Sequence, residues 1–339
     1  MSVIGVLTAG GDCPGLNAVI RGVVSRAHEN HGAEVVGIMN GWEGLMDGDV
    51  RLLERRDVRG ILVRGGTILG TSRKDPYVHG DGYASVAKTL ESNAIDSLVV
   101  IGGDGTLRTA LKLVEEGVKV IGVPKTIDND IAATDFTFGF DTAVQVVTDA
   151  IDRLTTTAEA HNRVILVEVM GRTKGWIATY AGIAGGAEAI LIPEIPFDLS
   201  EVASIIQRRH RRGKNYSIVV VAEGVEPPQK TERAKDVFGF DRLGGVAYQL
   251  APVIEELTGF ETRVTVLGHL QRGGTPTAFD RVLATRLGTR AADLAVEGAS
   301  GVMVALRGAE IVPVSLAEAC ADIRGVDDDL FDVARTFFG

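Results

Sequence analysis

Cysteine is nearly absent. Cys13 and Cys320 are the only two in 339 residues, too few for a disulfide framework and in keeping with a reducing compartment. No apolar run approaches the ~20 residues that span a bilayer. No basic stretch precedes the strand pattern that starts at Val3, so neither a membrane helix nor a signal peptide is expected and the chain reads as cytoplasmic. Positive charge is in deficit: the formal net charge is −10. That argues against nonspecific binding to nucleic acid or to an anionic membrane. It leaves room for a small anionic ligand, because a few local arginines can outweigh the global sign. Two nucleotide-binding signatures are also missing. There is no GxxxxGK[ST] P-loop, and no GxGxxG opens the first helix pattern, so a dinucleotide-dependent dehydrogenase lacks its fingerprint.

What is abundant is glycine, 42 residues of it, clustered after short apolar runs. Buried strands are predicted at 3–7, 34–39, 97–101, 118–123, 163–169, 189–192, 216–222 and 262–267. Helical periodicity is read at 17–27, 107–116, 198–211 and 245–257. Continuous apolar strands alternating with helices imply largely parallel sheets covered on both faces. The expected fold class is α/β, with two Rossmann-like three-layer lobes and an active site in the cleft between them. One lobe is expected to hold residues 1–140 plus about 250–305, the other 141–250 plus about 306–339.

Four groups of residues carry possible chemistry. TAGGDCPGLN at 8–17 follows the first strand and opens a helix, where glycine lets backbone N–H groups approach a phosphate; a tight turn packed for shape reads equally well. GGDGT at 102–106 adds an acid to such a loop. Asp104 either meets phosphate through Mg²⁺, which binds by one or two carboxylates plus phosphate oxygens, or caps the next helix. PKTIDND at 124–130 packs Lys125, Thr126, Asp128 and Asp130 into one turn after a strand. Phosphoryl transfer to a hydroxyl needs a carboxylate near that hydroxyl, yet an Asx-type turn accounts for the same string. Last, basic residues sit beside glycines at predicted turns: Arg73 and Lys74 in GTSRK, Arg172 in MGRTKG, and His269 and Arg272 in HLQRGG, with Arg163 and Arg263 near strand starts. Arginine reads phosphate bidentately where glycine leaves room, although any one of them alone reads as a solvated surface charge.

Taken together, GGDCPGLN, GTSRK, GGDGT, PKTIDND, MGR, EG and HLQRGG resemble, in order and spacing, the bacterial-type 6-phosphofructokinases from about Val3 to about Leu306. The resemblance implies transfer of a phosphoryl group to the 1-hydroxyl of fructose 6-phosphate. It implies that Gly11, Arg73, Lys74, Gly103, Asp104, Gly105 and Thr106 contact the donor, with Mg²⁺ on Asp104. Thr126, Asp128 and Asp130 would surround the reacting hydroxyl, with Asp128 as proton acceptor. Met170, Gly171, Arg172 and Glu223 would touch the sugar. His269 and Arg272 would bind the 6-phosphate, joined by Arg163 and Arg263 from an adjacent subunit, which implies a homodimer or homotetramer with shared active sites. Trp42 falls where the family often has a tyrosine near the nucleotide base. Arg21, Lys214 and Arg55 or Arg56 match part of an effector pocket, with Ser25 where an arginine is expected.

The family divides between ATP and pyrophosphate as donor, and this chain is mixed at the two positions that bear on it. Gly105 is as in ATP users; pyrophosphate users tend to carry aspartate there, whose carboxylate repels the ATP α-phosphate. Lys125 is as in pyrophosphate users, where many ATP users have glycine. A missing repulsive group permits ATP, whereas a lysine does not forbid it, so ATP is the expected donor, with pyrophosphate as the alternative. A noncatalytic relative is the lower alternative, opposed by the retained Asp104, Asp128, Asp130 and Arg172.

Overall fold

A computed structural model describes residues 2–226 and 243–339. In chain order its strands are β1 (Val3–Thr8), β2 (Glu34–Ile38), β3 (Val50–Leu52), β4 (Ser97–Gly102), β5 (Val120–Pro124), β6 (Val164–Val169), β7 (Ala189–Leu191), β8 (Ser217–Ala222), β9 (Thr262–Val266), β10 (Val302–Arg307) and β11 (Glu310–Ser315). Its α-helices are α1 (Leu16–Arg26), α2 (Trp42–Asp47), α3 (Pro76–His79), α4 (Tyr83–Ser92), α5 (Asp104–Glu115), α6 (Phe140–His161), α7 (Trp176–Ala184), α8 (Leu199–Arg211), α9 (Val246–Thr258), α10 (Ala278–Val296), α11 (Leu316–Ala319) and α12 (Asp328–Arg335). Among the described residues, no helix is long and apolar enough to cross a membrane.

The chain divides into two compact units. One combines Met1–Thr142 with Arg272–Ile323, the other Ala143–Gln271 with Arg324–Gly339. The first contains a seven-stranded sheet in the order β11-β10-β5-β4-β1-β2-β3. Its inner pairs are parallel, while β3 and β11 pair antiparallel at the two edges. The continuous aliphatic runs of β4 and β5 are buried along their whole length, as expected of strands covered on both faces. Leu7, Ile38, Leu98, Val100, Leu107, Leu113, Val120, Met303 and Leu316 belong to one core cluster of this unit. The second unit contains a four-stranded parallel sheet in the order β7-β8-β6-β9.

The crossings between units lie later in the chain than the sequence suggests. The second unit ends at Gln271 rather than near 250, because β9 completes its sheet by pairing with β6. The first unit keeps the chain to Ile323 rather than about 305, because β10 joins β5 and β11 joins β10. In each sheet the order reverses beside the first strand of the unit, between β1 and β4 and between β6 and β9. Parallel α/β sheets bind ligands outside the carboxyl ends of strands at such switch points. The segments after β1, β4 and β5 carry Gly11, Asp104 and Asp128, and those after β6, β8 and β9 carry Arg172, Glu223 and His269, whereas Arg73 and Lys74 follow β3 and Arg163 and Arg263 stand at the amino ends of β6 and β9.

Candidate active site

In the first unit, α5 begins directly at Asp104, with Gly103 at the N-cap and no side-chain cap. Asp104 is therefore not the cap of its helix. Its carboxylate is held by Arg108 one turn on, with Nε at 2.9 and 3.0 Å from the two oxygens. Gly105 follows, and a Cβ added there meets nothing within 4 Å. Thr106 is buried, and its side chain occupies the space a Cβ on Gly102 would need.

The turn 124–130 is buried throughout, with Asp128 only 3% exposed. Its shape is set by polar contacts rather than by packing alone. Thr126 Oγ1 accepts the Asp128 N–H at 3.0 Å. Asn129 stands in the left-handed region, φ +50°, which asparagine tolerates. Its Oδ1 accepts the Thr137 N–H at 2.9 Å, and the Thr137 hydroxyl donates to the Thr126 carbonyl at 2.8 Å. Asp130 is buried in the same turn. The Lys125 side chain leaves the turn, and its Nζ donates to the Gly11 carbonyl. Burial pushes the Lys125 ammonium below its ordinary value, Arg272 adds to that, and Asp128 opposes it. The buried Cys13 thiol beside it is pushed up to about 12 by burial, so it is not a nucleophile at neutral pH.

Arg272 also belongs to this unit. Its Nη1 donates to the Asp12 carbonyl at 3.2 Å and lies 2.7 Å from where a Cβ on Gly11 would stand. The TAGGDCPG loop, Lys125 and Arg272 thus form one cationic group around Gly11. Arg73 is exposed. Lys74 is paired with Glu43 at 2.5 Å, so donor contact by Lys74 requires it to exchange partners. Trp42 does not present a stacking face: it is 2% exposed within the core cluster. Arg55 pairs with Glu29 and Arg56 with Glu54, while Arg21 and Lys214 fall in different units.

In the second unit, the MGR and EG loops lock together at the ends of β6 and β8. Glu223 Oε1 accepts the Arg172 N–H at 3.0 Å. Arg172 has φ +53°, a left-handed conformation that costs a non-glycine residue about 1 kcal/mol or more. Gly171 has φ +143°, and a Cβ there would stand 2.4 Å from the Lys174 carbonyl. The Met170 N–H is held by Gln271 Oε1 at 3.2 Å, and His269 is exposed on the same segment. Arg163 and Arg263 share Glu261, Arg163 through Nη2 at 2.9 Å. Both flank the amino ends of β6 and β9, whereas Met170, Gly171 and Arg172 follow the carboxyl end of β6. Six residues of strand at about 3.3 Å each separate the two groups by roughly 20 Å. The structure therefore does not bring a chain's Arg163 and Arg263 to its own Arg172.

Three residues that shape these loops escape sequence reading: Thr137, Gln271 and Glu168. The only signal for Glu168 is an acid inside the apolar run VILVEV. It is 1% exposed and accepts the N–H groups of Gly245 and Ala247 at 2.6 and 2.8 Å, placing a carboxylate at the start of α9.

The sequence profile described as Phosphofructokinase matches residues 3–295. The chain belongs to the phosphofructokinase family. It is 55% identical to pyrophosphate--fructose 6-phosphate 1-phosphotransferase of Amycolatopsis methanolica over 99% of both chains. It is 53% identical to ATP-dependent 6-phosphofructokinase 3 of Streptomyces coelicolor over 96% of both. Among solved structures it is similar to Pichia pastoris phosphofructokinase in the T-state, with a TM-score of 0.83 and 33% identity; the match covers 99% of this chain and 36% of that longer one. Relatives of nearly equal identity thus carry names with different phosphoryl donors. In this phosphofructokinase-family chain, the features that bear on the donor are the open space at Gly105 and a lysine bonded to the Gly11 carbonyl.

Proposed function

We propose that the chain transfers a phosphoryl group from ATP to the 1-hydroxyl of fructose 6-phosphate, giving fructose 1,6-bisphosphate and ADP. The observation that carries this reading is the grouping of three loops at the carboxyl ends of the adjacent strands β1, β4 and β5, with Asp104 and Asp128 on two of them. Asp128 takes the proton of the attacking hydroxyl, a role open to a carboxylate fixed by its surroundings. Thr126 and Asp130 flank that hydroxyl. Gly11, Arg73, Lys74, Gly103, Gly105 and Thr106 contact the donor, and Lys125 and Arg272 supply positive charge beside Gly11. Arg172, Met170, Gly171 and Glu223 orient the sugar, and His269 binds its 6-phosphate. In the resembling family Arg272 serves that phosphate as well; its contacts at Gly11 and Asp12 support a place toward the transferred group.

The residues fit a divalent cation shared with the donor. Asp104 offers one carboxylate at a helix start with open space beside it, and Mg²⁺ characteristically completes its shell with phosphate oxygens and water. Asp104 would hold it, loosening from Arg108. Such an ion neutralises charge on the phosphates during transfer.

Arg163 and Arg263 act on the sugar phosphate of a neighbouring subunit, which the distance along β6 supports, so the working form is a homo-oligomer in the cytoplasm. A second reading, pyrophosphate as donor, is favoured by Lys125, whose buried charge serves a donor without a nucleoside. The test is an aldolase-coupled assay for fructose 1,6-bisphosphate with Mg²⁺ and each donor in turn. ATP-driven product formation supports the proposal; product with pyrophosphate alone replaces the donor, and product with neither overturns the reaction.

A further inference from the structure

Residues 137–142 run from the turn 124–130 into α6 and touch the loops around it. Thr137 bonds to Asn129 and Thr126. Phe138 bridges to Lys125, and its carbonyl accepts from Cys13 Sγ at 3.6 Å. Its ring stands 2.7 Å from where a Cβ on Gly15 would be. Gly139 has φ +95°, and a Cβ there would meet Cys13 Sγ at 2.5 Å. This strap joins the turn carrying Asp128 to the loop carrying Gly11.

The far end of the strap is fixed by a residue 141 positions away. Asp280, on the first turn of α10, is fully buried. Its Oδ1 accepts the Gly139 N–H at 2.9 Å. Its Oδ2 accepts the Thr142 N–H at 2.8 Å and the Thr142 hydroxyl at 2.5 Å. Thr277 closes the arrangement: its hydroxyl accepts the Asp280 N–H at 3.3 Å and donates to Asp141 at 2.5 Å, and its N–H donates to the Thr142 hydroxyl at 3.1 Å. The starts of α6 and α10 therefore hold each other reciprocally. A buried carboxylate is costly unless its bonds are made, and here both oxygens are engaged with the strap rather than with α10 itself.

We propose that Asp280 is a positioning residue for phosphoryl transfer: it clamps residues 139–142 and, through Thr137 and Asn129, holds Asp128 where it takes the hydroxyl proton. The catalytic half of this rests on the proposed function; the clamp itself does not. Asparagine at 280 keeps the shape but has one acceptor oxygen, so at least one buried N–H loses its partner.

The test compares wild type, D280N and T137V by amide hydrogen exchange and by kinetics with fructose 6-phosphate. In D280N the amides of 124–131 should exchange at least about tenfold faster while those of β4 stay unchanged. Turnover should fall about 10- to 100-fold, as misplacement of a reacting group does, with KM for the sugar within about threefold. A merely structural residue would lower the melting temperature without this split. Unchanged protection at 124–131 in folded D280N overturns the clamp, and faster exchange with wild-type turnover overturns the positioning role. Should D280N fail to fold, T137V loosens the same path at its other end by removing the hydroxyl bonds to the Thr126 carbonyl and Asn129 Oδ1 while keeping the Thr137 N–H bond, and wild-type exchange and turnover there overturn the proposal. Absence of activity in the wild-type chain with either donor refutes the proposed function and the catalytic half with it, leaving exchange to decide the clamp.

Discussion

Gly105→Asp poses the donor question with little disturbance to the fold. Residue 105 is the second of α5, and a side chain there enters open space. An acid in the first turn of a helix is favourable by about 0.3–1 kcal/mol, so the melting temperature should hold or rise slightly. Under the proposed function the new carboxylate faces the α-phosphate of ATP. Two unit charges about 5 Å apart at an effective dielectric of about 20 repel by about 3 kcal/mol, on the order of a hundredfold in kcat/KM. Pyrophosphate has no third phosphate and should lose much less. The assay is kcat/KM for each donor, wild type against variant, with melting curves in parallel. Unchanged ATP kinetics in a folded variant would refute the α-phosphate argument, and equal losses with both donors would move the effect to phosphates that the donors share.

Asp128→Ser should cut turnover by about 10²- to 10⁴-fold, as loss of a general base does, with sugar binding retained; direct titration with fructose 6-phosphate checks the second half, and near-wild-type turnover would remove Asp128 as base. Mixing D128S chains with R163A chains under exchange conditions should restore activity that neither has alone, because a hybrid assembly pairs an intact Asp128 with a neighbour's intact Arg163; no recovery in verified hybrids would contradict the shared site. Asp280 is raised to about 6, chiefly by burial and a little by Asp141, against its bonds to Thr142 and Gly139. Between its ordinary 3.8 and 6 the native state binds more protons than the unfolded one, so this group's contribution to stability falls as pH rises through that window, by about 3 kcal/mol in all. Melting of wild type and D280N from pH 4 to 7 tests it: their difference should change across that range, and parallel curves would contradict the raised value.

The buried strands are legible because β1, β4, β5, β6 and β8 are predominantly aliphatic runs, broken in β6 only by Glu168 among charged residues, that end at glycine or charged turns. The edges are not. β3 is three residues long, and β11 carries Pro313 and has only Val314 buried, as suits edge strands. The order of the loop motifs gave the family, and the positions of Asp104, Asp128, Gly171 and Arg172 agree with loops at strand ends. What holds those loops could not be read. Thr137, Gln271, Glu168 and Asp280 act on partners 8, 101, 77 and 141 residues away, and no local pattern marks such bonds. Trp42 shows the same limit: its sequence position names a neighbourhood, and only the structure shows its ring buried in the core cluster.

Initial rates with fructose 6-phosphate, Mg²⁺ and either ATP or pyrophosphate, measured side by side on the same wild-type preparation, decide whether ATP is the donor. A higher kcat/KM with ATP is expected, with fructose 1,6-bisphosphate as product. Turnover with pyrophosphate and none with ATP would contradict the donor argued from Gly105, and would make Lys125 the residue that decides it.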